Sequence, residues 1–235
     1  MDVLIFTGGE SPSPESLALF FEAMFRPDYI IAADSGLDTL VRYASFFGPS
    51  FAPDLILGDM DSLEDSSLLA RYGAAKRESF PCDKDFSDSE LALMRAREVA
   101  GEGRVALLGG SGGRADHFIA LYDSFSRTYH ADIWLCQNQT VVYLPQGHTL
   151  KVSHLAQDDT LSAARLTSEY SSSALKAQGL EWTGFATCGM ASLSNRISRE
   201  AFCSGQPVTL FAERGSFLIF LPQSALFCIK DDVGF

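Results

Sequence analysis

Short apolar runs recur along the first part of the chain: Val3 to Phe6, Tyr29 to Ala33, Leu55 to Leu57, Val105 to Leu108 and Asp132 to Cys136. None of them alternates strictly between apolar and polar residues, so each predicts a strand buried on both faces. Between them lie stretches with helical spacing. Leu17, Phe20, Phe21 and Met24 follow Pro14 and Glu15, while Leu37, Leu40, Val41 and Ala44 follow Gly36. Ser87 to Ala100 and Arg114 to Tyr129 complete the set, the former opened by Ser87-Asp88-Ser89-Glu90, the signature of a capping box. Strands alternating with helices predict an α/β region with a mainly parallel sheet.

The pattern changes near Pro145. Val141 to Leu144, Thr149 to Val152, Leu180 to Thr187, Val208 to Ala212 and Phe217 to Leu221 are rich in β-branched and aromatic residues, with glycines between them. They predict an all-β, antiparallel C-terminal part, and divide the chain into 1–145 and 146–235. Glu213-Arg214-Gly215-Ser216 reads as a hairpin loop. Gln157 to Ser173 matches no template.

Composition narrows the choice of partners. The 235 residues are 46% hydrophobic, enough for packed cores, and carry a formal net charge of −12. With a pI near 4.7, the chain is a poor match for nucleic acid or an anionic membrane, both of which attract Lys and Arg. Cys82, Cys136, Cys188, Cys203 and Cys228 are odd in number and widely spaced, with no C-x-x-C. That favours reduced thiols and a cytoplasmic setting over a disulfide framework or zinc site. The N-terminus has no basic segment before its short apolar run, so no secretory signal is expected.

Acidic residues cluster where the second and third strands end. Asp34 follows the second strand, Asp59 and Asp61 follow the third, and Asp83, Asp85 and Asp88 come soon after. Crowded carboxylates repel unless a cation compensates them, and an oxygen-only set with room for water and phosphate suits Mg²⁺. Turn and capping roles compete for any single Asp, less easily for the group.

Leu108 leads into Gly109-Gly110-Ser111-Gly112-Gly113-Arg114-Ala115-Asp116-His117, a strand, glycine turn and helix start. Free amides at such a helix end attract phosphate, and Arg114 adds a bidentate charged donor. Gly110, Gly112 and Ala115 formally satisfy G-x-G-x-x-A. An NAD(P)-dependent oxidoreductase nevertheless fits poorly, since the loop follows the fourth strand and the next strand ends in Gln137-Asn138, where a ribose-binding acid belongs. A nucleotide-binding protein without turnover is a second alternative.

In order, Ala33-Asp34-Ser35-Gly36, Pro53-Asp54 with Gly58-Asp59-Met60-Asp61-Ser62, Asp83-Lys84-Asp85-Phe86-Ser87-Asp88, Gly109 to His117, Gly179-Leu180-Glu181-Trp182 and Ser192-Leu193-Ser194-Asn195 resemble the motifs of the thiamin pyrophosphokinases. The resemblance implies an α/β N-terminal domain, a β-sandwich C-terminal domain for thiamin binding and dimerisation, and a homodimer with its site shared across the two-fold interface. It implies transfer of a pyrophosphoryl group from ATP to thiamin, giving thiamin diphosphate and AMP. By the same resemblance Asp34, Asp59, Asp61 and Asp88 would hold Mg²⁺, with Asp83 and Asp85 shaping the pocket. Gly110, Gly112, Gly113 and Arg114 would receive ATP. Asp116 would orient the substrate or accept its proton, and Trp182, Ser194 and Asn195 would contact thiamin. Glu181 stands where the family usually has Lys, a change of charge beside a cationic substrate.

Overall fold

Val3–Phe6 has no polar side chain and no exposed face, and it forms β1 at the middle of a parallel sheet. β2 (Tyr29–Ala33) and β5 (Val105–Leu108) flank it, registered Val3 to Tyr29 and Val3 to Val105. β3 (Leu55–Gly58) and β4 (Lys76–Ser79) continue on the β2 side, and β6 (Ile133–Leu135) lies beyond β5. The order is β6-β5-β1-β2-β3-β4. Between β1 and β5 the connections diverge to opposite sides, and a parallel α/β sheet opens a crevice for ligands at such a point.

This computed structural model describes residues 1–59, 67–80, 86–166, 173–182 and 191–231. The chain forms two compact units. The first is Met1–Ala18 with Phe25–Gln137, and the second is Leu19–Met24 with Asn138–Phe235.

In the first unit, helix α2 (Gly36–Phe47) packs on β1 and β2, and α4 (Asp88–Ala100) crosses β1, β2, β3 and β5. Gly36 is required at the start of α2, because a side chain there would collide with the Phe6 carbonyl. α3 (Ser67–Arg71) precedes β4. The edge strand β4 carries Lys76, Arg77 and Glu78. Glu78 bonds Lys76 at 2.7 Å and Arg95 at 2.8 Å, and these donors hold its carboxyl below the usual range. Charges along an edge discourage pairing with another chain. The helix expected over 114–129 is shorter: α5 spans Ala115–Ser124. The chain then tightens into turns, with Arg127 N donating to Ser124 O at 2.9 Å.

The second unit holds α1 residues Leu19 to Ala23 (α1, Ala18–Ala23) and two four-stranded sheets. β7 (Gln139–Leu144), β13 (Phe217–Pro222), β9 (Thr160–Arg165) and β11 (Ala191–Arg196) form one of them, ordered β11-β9-β13-β7. β10 (Ala174–Gln178), β12 (Val208–Arg214), β8 (His148–Ser153) and β14 (Leu226–Asp231) form the other, in that order. All pairs are antiparallel. Val142, Phe217 and Ile219 of one sheet meet Leu150, Val152 and Leu210 of the other in a single core, so the expected sandwich is present. A short helix, α6 (Arg199–Ser204), is capped by the Ser198 hydroxyl.

Glu213 to Ser216 is not a hairpin loop. β12 and β13 belong to different sheets, and the segment between them crosses the sandwich. Burial explains the choice, because Leu210 and Ala212 before the crossing and Phe217 and Ile219 after it all enter the shared core. Gln157 to Ser173, which matched no template, contributes β9. Among the described residues no helix is long and apolar enough to cross a membrane, and Cys136, Cys203 and Cys228 are free thiols.

Candidate active site

Three of the acids singled out from the sequence come together in the first unit. Asp34, Asp59 and Asp88 each offer a carboxylate oxygen, and these oxygens lie within 4.8 Å of one another. Asp34 follows β2 with φ +48°, a left-handed conformation that Asp tolerates better than most side chains. Its N–H donates to Leu57 O at 2.9 Å, tying it to β3. Gly58, the last residue of β3, makes room for the group: a Cβ there would lie 3.0 Å from Asp88 Oδ1 and 3.3 Å from Asp34 Cβ. Three half-buried carboxylates around a space that a methyl group would fill suit a hard divalent cation with oxygen ligands. Asp61, Asp83 and Asp85 lie outside the described residues.

Asp88 opens α4, where the N-terminal end of the helix favours a negative charge. The helix start is firmly built. Ser87 N donates to Glu90 Oε2 at 2.9 Å and Glu90 N to Ser87 Oγ at 3.3 Å, the reciprocal bonds of the predicted capping box. Arg127 reaches back from beyond α5 to Glu90 Oε1 at 2.8 Å. Thr7, at the end of β1, shares a 2.7 Å hydroxyl bond with Ser89. Neither Arg127 nor Thr7 was singled out by sequence; each lies dozens of residues from its partner, and no local spacing announces the contact.

Asp34 and Asp88 open onto a cavity of about 530 Å³ at the crevice between β1 and β5. Asp34, Asp88, Gly110, Gly112, Gly113 and Arg114 all line it, as does Asp116. Both glycine-loop ends are thus on the same side of the sheet as the acids. Arg114 is largely exposed and donates to Asp116 through Nη2 at 2.6 Å and Nε at 3.2 Å. This bond and the adjacent positive charge take the Asp116 carboxyl down to about 2.

Trp182, Ser194 and Asn195 belong to the second unit. Trp182 is 54% exposed, unusual for so large an apolar surface, while Asn195 is 5% exposed. Asn195 Nδ2 donates to Trp182 O at 2.6 Å, and its Oδ1 accepts from Trp182 N at 3.3 Å. Arg196 places its guanidinium 5.4 Å from the centre of the Trp182 ring. Ser194 is exposed at φ +58°, its N–H bonded to Ser162 Oγ at 3.0 Å. Of these three, the exposed Trp182 and Ser194 can meet a ligand; Asn195 is engaged with the backbone.

Carboxylates, a glycine loop and a cation-bearing helix start, gathered at the carboxyl ends of a parallel sheet, define an enzyme that transfers phosphorylated groups. Residues 22–136 match the family model described as thiamin pyrophosphokinase, catalytic domain. Residues 22–136 thus carry a thiamin pyrophosphokinase catalytic domain, the domain of a diphosphotransferase. Solved structures agree in fold. A thiamin pyrophosphokinase family protein from Enterococcus faecalis is 18% identical with TM-score 0.70, covering 94% of this chain and 99% of that one. Thiamine pyrophosphokinase from Bacillus subtilis gives the same four values. The yeast enzyme is 14% identical with TM-score 0.64, covering 94% and 86%. No curated protein matches the sequence.

Proposed function

We propose that this protein is a thiamin pyrophosphokinase and transfers the β,γ-diphosphoryl group of ATP to the hydroxyl of thiamin in a Mg²⁺-dependent reaction, giving thiamin diphosphate and AMP. The observation that carries the metal and phosphate reading is the meeting of Asp34, Asp59 and Asp88 within 4.8 Å, beside the glycine loop. These three acids would hold Mg²⁺, which when bound neutralises charge on phosphate oxygens. In our reading Asp61 adds to the set, and Asp83 and Asp85 shape the pocket.

The chain's own groups account for the rest. The thiamin oxygen bonds to the β-phosphorus and gives up its proton to solvent, the bond from that phosphorus to the α,β-bridging oxygen breaks, and AMP departs with the bridging oxygen. Amides of the glycine loop and Arg114 meet the phosphate oxygens, since positioning and fixed charge dominate phosphoryl transfer. Asp116, already bound to Arg114 and strongly acidic, is better suited to aiming that guanidinium than to taking the hydroxyl proton. Trp182 offers an aromatic face to the cationic thiazolium, and Ser194 an exposed hydroxyl. We assign the enzyme to the cytoplasm, as a homodimer whose thiamin side is supplied by the partner subunit.

The test is product identity. Incubation with ATP, Mg²⁺ and thiamin should yield AMP and thiamin diphosphate by mass, and EDTA should abolish both. ADP as the nucleotide product, or turnover undiminished in EDTA, would refute the proposal.

A further inference from the structure

The peptide unit joining Gly109 to Gly110 is held at both ends. The Gly109 carbonyl accepts a hydrogen bond from the Trp134 indole Nε1–H at 2.7 Å, and the Gly110 N–H donates to Gly8 O at 2.8 Å. Trp134 stands on β6, two strands from β1, and is completely buried. Its ring lies 5.3 Å from that of Phe118 and 6.1 Å from that of Phe125, both on or next to α5.

Both residues of this peptide are glycines at positive φ, +102° and +72°. Neither tolerates a side chain, since a Cβ at Gly109 would strike the Thr7 carbonyl and one at Gly110 would strike Leu121. Glycine on both sides leaves the peptide plane little intrinsic resistance to rotation. Rotation by half a turn would exchange the places of a carbonyl and an amide at the base of the loop. Where a phosphate is to be met, an inward carbonyl repels and an inward amide attracts. The next residue adds a third tie. Ser111 Oγ accepts from Gln137 N at 2.7 Å and donates to Glu10 O at 3.1 Å, joining the ends of β1, β5 and β6.

We infer that Trp134 is a positioning residue for the nucleotide: its indole N–H fixes the orientation of the Gly109–Gly110 peptide, and Ser111 seconds it. The inference rests on the proposed ATP site, but Trp134 and Ser111 themselves lie outside the cavity lining.

Trp134→Phe keeps an aromatic ring and deletes the donor; Ser111→Ala deletes the third tie. Amide hydrogen exchange on the ligand-free protein, read at Gly110, should accelerate roughly five- to tenfold in Trp134→Phe, about the worth of one hydrogen bond. KM for ATP should rise by a similar factor while KM for thiamin stays constant. A purely structural role would lower Tm and the active fraction and leave both KM values alone. Unchanged exchange at Gly110 overturns the inference, and so does faster exchange with unchanged affinity for ATP. If Trp134→Phe fails to fold, Ser111→Ala decides by the same measurements. A wild-type protein that binds no ATP refutes the functional proposal and the nucleotide role together, while the exchange rate still decides whether Trp134 pins the peptide.

Discussion

Asn195 grips Trp182 by its main chain, donating to its carbonyl and accepting from its amide with one side-chain group. A buried amide thereby fixes the backbone that carries an exposed ring. Replacing Asn195 by Ala leaves both backbone groups short of a partner. KM for thiamin should rise about fivefold, equivalent to roughly 1 kcal/mol for a lost hydrogen bond, with little change for ATP. An equal loss for both substrates would mean that Asn195 supports the second unit generally.

The acid cluster should reveal itself through stability. Mg²⁺ should raise the Tm of the wild-type protein, the linkage being worth about 2.7 kcal/mol at a hundredfold excess over Kd. Asp34→Asn, which suits the left-handed backbone there, should fold, lose most activity and respond weakly to Mg²⁺. In the absence of metal it should be no less stable than wild type, because one of three crowded charges is gone. An equal Mg²⁺ response in both proteins would remove Asp34 from the ligand set.

Glu90 should matter to chemistry it never touches. It closes the capping box and receives Arg127, so Glu90→Ala should destabilise the fold by about 1 kcal/mol. Because Asp88 rides on the same turn, the Mg²⁺ concentration for half-maximal rate should rise as well. Glu90→Gln keeps the cap and should restore most of both; failure to do so would separate the cap from the metal response.

The Arg114–Asp116 pair makes a prediction about pH. Asp116 titrates near 2 in the folded protein, below its ordinary value, so the pair is intact above about pH 4 and is lost only as the pH falls through 2. Between pH 5 and 9 its charge is constant. Asp116→Asn should therefore lower kcat/KM for ATP while leaving the limbs of the pH–rate profile where they were. Disappearance of a limb in that variant would identify Asp116 as the group exchanging the proton.

How much could be read from the sequence depended on what each residue answers to. β1, β2, β3 and β5 were legible because strands buried on both faces must be apolar throughout. β4 was not, since an edge strand answers to solvent and its Lys-Arg-Glu-Ser carries no apolar signal. Of the sandwich strands, β7, β8, β12 and β13 were legible, whereas β9, β10, β11 and β14 were not, and most of the strand expected over Leu180 to Thr187 lies outside the described residues. Their pairing was not legible either. Adjacency suggested that β12 and β13 share a sheet, whereas core burial sends them to opposite ones. At the site, Asp34 and Asp59 could be named from their positions after strands and Asp88 from the acidic cluster at a helix start. Asn195 could be named too, yet its use as a clamp for Trp182, like the reach of Arg127 to Glu90, follows from tertiary approach alone.

The second unit takes Leu19–Met24 from one end of the chain and everything from Asn138 onward from the other. Within it Met24 Sδ accepts a hydrogen bond from Phe227 N at 3.2 Å, on the last strand. During synthesis, Leu19–Met24 must wait for β14, so the sandwich cannot finish closing until that strand has been made, whatever the first unit has achieved by then. Early termination before β14 would leave that segment without its partner strand, and a nascent chain held at that length is the species most in need of a chaperone.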